Sequence, residues 1–245
     1  MRAGKIVIAI LIFILYLFPD QKGDEILKKV TKTVSAPKDM KAIITIELID
    51  KNGNKRHRKA EMYTKEDEKR IIRFTEPADQ RGIAFLALPG DIQYLYMPAF
   101  RKVRRIASHI KNTKFAGTDF TYEDLATSKY DKDFKANILK ETDSLFTLEL
   151  IPKPGVNKSY SKLIMHVRKD IYFPTSIEFY DKNGEIEKIL YNKKIDRHGN
   201  YWHAKEMLMD NLKENHKTRM IFDEVTFDTN ISDDIFTQRQ LIRWR

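Results

Sequence analysis

Turn signals cut this chain into strand-length pieces almost from end to end, and that punctuation limits the fold more than any other feature. MKAIITIELID (40–50) and KRHRKAEMYTK (55–65) flank Asn52-Gly53, which reads as a hairpin. RIIRFTE (70–76), GIAFLAL (82–88) and IQYLYMP (92–98) continue the series, separated by Pro77, Pro89 and Gly90. After an interruption, FKANILKE (134–141), LFTLELIP (145–152), KLIMHVRKD (162–170) and TSIEFYD (175–181) follow. A second Asn-Gly pair at 183–184 leads into EIEKILYNKKID (185–196), YWHAKEMLMDNL (201–212) and HKTRMIFDEVTFD (216–228). About twelve strands with a turn every ten residues or so predict a mainly β, α+β chain built on one large antiparallel meander.

Helical patterns are few. Ile26, Leu27, Val30 and Val34 recur at helical spacing in residues 24–34, with Asp24 as the expected N-cap and Pro37 as the stop. Residues 231–244 predict a short terminal helix capped at Ser232 or Thr237.

Residues 1–22 stand apart. Arg2 and Lys5 precede thirteen unbroken apolar residues, Ile6 to Phe18, the layout of a secretory signal. As a helix that run spans roughly 20 Å, short of the ~30 Å hydrocarbon core. A small-residue cleavage site is missing between Leu15 and Lys22, so 1–22 reads as a signal peptide or a retained N-terminal anchor, the first favoured. Cysteine is absent, so the exported chain has no disulfide framework and needs an ordinary core; 23–245 fits a single domain.

Several strands are apolar on both faces. Ile44, Ile46 and Leu48 oppose Ile43 and Ile49; Phe146, Leu148 and Leu150 oppose Leu145 and Ile151. Strands under a helix or near a sheet centre have this pattern, and so does a curved sheet whose concave side lines an apolar chamber. The sequence by itself favours the first.

No catalytic signature is present: serine elbows, P-loops and dinucleotide fingerprints are missing. The six histidines lack metal-site spacing, and no metal or cofactor is expected. The net charge of +10 and the runs KRHRK (55–59) and RKVRR (101–105) suggest a polyanion, but an export signal argues against nucleic acid. In strand geometry Arg101, Val103 and Arg105 would share one face, and Lys102 and Arg104 the other, so the charges are not one compact patch. Tyr94, Tyr96, Phe100, Phe115, Phe120 and Tyr122 surround them, and Arg101 or Arg105 is expected to pair with Asp119, Glu123 or Asp124.

Residues 93–125 carry the most information about function. The segments RFTEPADQRGIAFL (73–86), YLYMPAFRKVRRIAS (94–108) and FAGTDFTYEDL (115–125), with DEILKKV (24–30), EFYDKNGEIEK (178–188) and FTQRQL (236–241), resemble the outer-membrane lipoprotein-sorting family, the LolA-like periplasmic carriers. FAGTDFTYEDL after the basic run is the specific part. The resemblance implies an incomplete β-barrel wrapped around a few helices, enclosing a hydrophobic cavity. It implies a non-enzymatic, monomeric periplasmic carrier of lipoprotein or lipid acyl chains, moving them between envelope membranes or to or from an exporter. An inner-membrane exporter or an outer-membrane acceptor would be its partner. Candidate cavity residues are Ile44, Ile46, Phe74, Phe85, Leu95, Phe146, Leu148, Met165, Ile177, Phe179 and Met207. Arg101, Arg104, Arg105, Gly117, Asp119, Phe120, Tyr122, Glu123 and Asp124 form a candidate gating or partner-docking motif. Two rivals stay open: an adaptor of the same fold anchored by residues 6–18, and a polyanion-binding envelope protein.

Overall fold

The computed structural model describes residues 21–66, 68–126 and 129–243; of the expected signal or anchor over residues 1–22, all but Gln21 and Lys22 lies outside them. Helix α1 (Gln21–Val34) leads into β1 (Asp39–Ile49), β2 (Lys55–Lys65), β3 (Lys69–Glu76), β4 (Ala84–Leu88), β5 (Ile92–Met97) and β6 (Lys102–Arg105). Two short helices, α2 (Tyr122–Ala126) and α3 (Tyr130–Asp133), come next. The chain continues through β7 (Phe134–Glu141), β8 (Leu145–Pro152), β9 (Lys162–Arg168), β10 (Phe173–Tyr180), β11 (Ile186–His198), β12 (Tyr201–Asn211) and β13 (His216–Phe227) to α4 (Gln238–Ile242). No helix among the described residues is long and apolar enough to cross a membrane.

All thirteen strands form one antiparallel sheet, in the order β6-β5-β4-β3-β2-β1-β13-β12-β11-β10-β9-β8-β7. The first meander runs outward from β1 to the edge strand β6. The chain then crosses the sheet, its described residues here being 106–126 and 129–133, and returns by a second meander from the other edge, β7, until β13 pairs with β1. Because β6 and β7 do not meet, the sheet is not closed into a barrel. A bulge at Ile43/Ile44 helps to bend it. The two Asn-Gly sites are hairpin turns of the same kind: Asp50 accepts from the backbone N–H of Asn52 and Asn54, and Asp181 from those of Asn183 and Glu185.

Thirteen strands agree with the expected count of about twelve. The additional one is β6, four residues long, where only Val103 is half-buried and charge masks the alternation. α1 begins at Gln21, so Asp24 lies in its first turn rather than capping it. Its carboxylate instead accepts the Ala136 backbone N–H at 2.8 Å and pins the helix to β7. Gly23 permits that approach, since a Cβ there would stand 2.2 Å from the Ala136 carbonyl oxygen. At the C-terminus, Ser232 caps a 3-10 turn over Asp233–Ile235 and Thr237 caps the five-residue α4, in place of one helix over 231–244.

The sheet buries two unequal cores. On the concave side, Ile26, Leu27 and Val30 of α1 pack in one cluster with Ile44, Ile46, Phe74, Phe85 and Leu148. On the convex side, Ile231, Phe236 and Leu241 cover Ile71, Ala84, Leu86 and Tyr96. This C-terminal strap is why β3 and β4 are buried on both faces. Asp39 holds its start: the buried carboxylate accepts the N–H groups of Thr229 and Ile231 at 2.8 and 3.1 Å. β1 and β8 alternate cleanly; Ile43, Ile49 and Leu145 are half-buried and Ile151 is exposed.

A methionine-rich groove beside the crossover

The crossover plugs the concave face. Ala116 and Gly117 both have positive φ, 48° and 76°, a backbone that glycine adopts at little cost and that turns the chain sharply. The turn drives Phe115 into an aromatic cluster with Phe74, Phe85 and Tyr122, at ring centroid distances of 5.3, 5.8 and 5.9 Å. Thr121 and Asp124 then form a capping box that starts α2: each side chain accepts the other's backbone N–H, at 3.1 and 2.7 Å.

The acidic residues of this segment bind inward. Asp119 accepts hydrogen bonds from His216 Nδ1 (2.6 Å), Thr218 Oγ1 (2.7 Å) and Lys114 Nζ (3.0 Å). Burial pushes its pKa up, but those donors outweigh burial and hold it below the usual carboxylate value. Asp124 pairs with Lys188 at 2.6 Å and accepts from the Tyr160 hydroxyl at 2.8 Å. Lys188 Nζ also lies over the Tyr160 and Phe179 rings, 5.3 and 5.4 Å from their centroids. Glu123 accepts from the Ser159 hydroxyl and N–H, with its pKa raised chiefly by burial. The expected pairing of Arg101 or Arg105 with Asp119, Glu123 or Asp124 does not form. Those arginines, with Arg104, lie exposed at the β6 edge, and long-range partners from β11 and β13 take their place.

Beside the plug lies a groove of about 230 Å³, walled by Phe120, Glu123, Asp124 and Leu125 on one side and by β9–β13 on the other, with Met40, Met62 and Arg70 completing it. Five methionines line it: Met40, Met62, Met207, Met209 and Met220. Met207 and Met220 are direct cross-strand partners. Leu163, Ile177, Phe179, Leu190, Trp202 and Phe222 are among the other apolar residues of the wall. Unbranched, polarisable thioethers repack around differently shaped hydrocarbon at low cost, so such a wall suits a flexible apolar ligand.

Of the predicted cavity residues, Ile177, Phe179 and Met207 line the groove. Ile44, Ile46, Phe74, Phe85, Phe146, Leu148 and Met165 share the concave face but lie buried in the core cluster, and Leu95 packs half-buried against it. The reason is steric: α1 and the crossover occupy the middle of the concavity and displace the groove towards β9–β13. From the predicted gating motif, Phe120, Glu123 and Asp124 reach the groove, while Tyr122 and Asp119 are buried structural residues. The methionines other than Met207 were missed, although Met207 and Met209 alternate on one strand face in the sequence.

His203 lines the groove with its ring edge-on to Phe222 at 4.7 Å. Burial, reinforced by the His198 and Lys205 charges, lowers its pKa to about 4. An unfolded histidine takes up its proton near pH ~6.5, so the unfolded state gains protons first as pH falls. The neutral ring's contribution to stability is therefore full above ~6.5 and lost on the way down to about 4. The melting temperature is expected to fall across that window, and less so in His203→Phe. Parallel pH profiles for the two proteins would refute this assignment.

A family model described as "uncharacterized protein" matches residues 66–243. A domain from Vibrio parahaemolyticus, provisionally described as an outer membrane lipoprotein-sorting protein domain, is 29% identical with a TM-score of 0.81, covering 91% of this chain and 99% of its own. A DUF1329 family protein from Desulfovibrio piger shares the fold at 23% identity and TM-score 0.84, over 91% and 99% of the two chains. A LolA superfamily protein from Nitrosomonas europaea does so at 20% identity and TM-score 0.74, over 89% and 98%. No curated protein matches the chain.

Proposed function

We propose that this chain, which belongs to the family matched over residues 66–243 and has the LolA-superfamily fold, is a non-enzymatic envelope carrier that shelters lipid or lipoprotein acyl chains in its methionine-rich groove. The observation that carries the proposal is the groove's lining: five methionines among aliphatic and aromatic side chains, on the concave face of an open sheet. The sorting description of the Vibrio domain supports the cargo class. The secretory layout of residues 1–18 supports a periplasmic site of action.

The energetics fit reversible carriage. At ~30 Å³ per water-sized group, about 230 Å³ holds roughly eight methylene-sized groups. Burying those is worth about 6 kcal/mol at ~0.8 kcal/mol each. A longer chain requires the methionines to give way, which keeps the net affinity below that of full burial and leaves release feasible. An exporter in the inner membrane or an acceptor in the outer membrane would exchange cargo with the groove.

A dansyl-labelled fatty acid tests the proposal. Saturable binding with a blue-shifted emission, displaced by unlabelled lysophospholipid and insensitive to salt, is expected. Absence of saturable uptake would refute it.

A further inference from the structure

Residues 92–118 hold six cations, Arg101, Lys102, Arg104, Arg105, Lys111 and Lys114, and no carboxylate. Two are neutralised: Lys111 pairs with Asp91, and Lys114 with Asp119 and Glu214. The other four lie on or beside β6, the edge strand at one end of the sheet order, and all four are exposed. No acidic side chain among the described residues forms an ion pair with them. At the tip of the β5–β6 hairpin, Phe100 is 59% exposed. A 3-10 turn over Pro98–Phe100 holds it there, closed by Arg101 at φ 50°, whose N–H donates to the Pro98 carbonyl at 3.0 Å. Pro98 abuts Gly82, which sets exposed Arg81 beside the same tip.

Edge strands carry cations to block strand addition, but that role needs no solvent-exposed aromatic ring at the tip. A base-stacking platform does not fit either. Of the aromatic residues around the basic run, Tyr96, Phe115, Phe120 and Tyr122 are buried and Tyr94 is half-buried, leaving Phe100 alone in solvent. One exposed ring flanked by flexible cations is instead the pattern of an interfacial membrane anchor: the ring enters the headgroup boundary, and the long basic side chains reach phosphates from either face of the strand.

We propose that the β5–β6 hairpin docks this protein on an anionic lipid bilayer, with Phe100 entering the interface and Arg101, Lys102, Arg104 and Arg105 binding lipid phosphates. The charge complementarity is one-sided, because the hairpin brings no carboxylate to the surface. The docking does not depend on what the groove carries.

The chain has no cysteine, so Phe100→Cys in the full-length protein takes a single polarity-sensitive dye. Vesicles of phosphatidylglycerol and phosphatidylethanolamine are expected to shift its emission to the blue, and phosphatidylcholine vesicles to leave it unchanged. Raising the salt should weaken the shift. Reversing the four cations to Glu should raise the vesicle concentration at half-maximal shift at least a hundred-fold, from about five-fold per cation near an anionic surface. A dye at Asn183→Cys, on the β10–β11 turn, controls for tethering through the apolar residues 6–18 and should not shift. The proposal is overturned by an equal shift with phosphatidylcholine, by a shift that survives salt or charge reversal, or by an equal response at position 183. A response to heparin or an oligonucleotide without one to anionic vesicles overturns it as well.

Discussion

Asp124→Asn is expected to destabilise the protein by about 3–5 kcal/mol, because it strands the Lys188 ammonium in the core without its counter-charge. The Lys188 side chain is 1% exposed and that of Asp124 5%. The single carbonyl oxygen of asparagine can accept from the Tyr160 hydroxyl or from the Thr121 N–H but not from both, so the loss combines the counter-charge with one hydrogen bond. For a domain of this size the melting temperature should drop by roughly 6–20 °C. Adding Lys188→Met should recover most of it, since a long apolar side chain fits between the Tyr160 and Phe179 rings without a charge to satisfy. Thermal melts of the wild type, both single variants and the double variant form the cycle. Strict additivity would show that the pair is not coupled.

Met207→Glu is expected to leave folding nearly intact and to weaken acyl binding by at least about a hundred-fold. Met207 is half-buried in β12 and faces the groove beside Met220, so a carboxylate there hydrates in the empty protein. Acyl cargo would have to strip that water with no donor to replace it, a cost of several kcal/mol, and ~2.7 kcal/mol already amounts to a hundred-fold. Met207→Leu keeps an apolar wall of similar volume and should bind within a few-fold of the wild type. Titration of the dansyl fatty acid separates the two. Equal affinities for Met207→Glu and Met207→Leu would place the ligand elsewhere.

The sheet was legible in the sequence because its order comes from local hairpins. Asn52-Gly53 and Asn183-Gly184 sit in the turns that join β1 to β2 and β10 to β11, and a meander needs little more. What escaped is non-local. The crossover is a single excursion from edge to edge, and only the completed sheet sets Asp119 against β13 and Asp124 against β11. Arginines within about 25 residues looked like the natural partners; His216, Thr218 and Lys188, 64 to 99 residues on, are the actual ones. Lys188 gave one clue, a lysine sharing an inward strand face with Leu190. The concave face was also readable from alternation, but not how much of it α1 and Phe115 would fill. Eight of the eleven proposed lining residues consequently belong to the core and not to the groove wall.

The carrier proposal turns on whether the groove holds lipid in the cell. The direct measurement is mass spectrometry of organic extracts from the full-length protein purified from its native envelope, beside Met207→Glu prepared in parallel. Acyl lipid or acylated peptide is expected in near-stoichiometric amount with the wild type and strongly depleted in the variant. Wild-type protein free of acyl species, or equal lipid in both preparations, would contradict it.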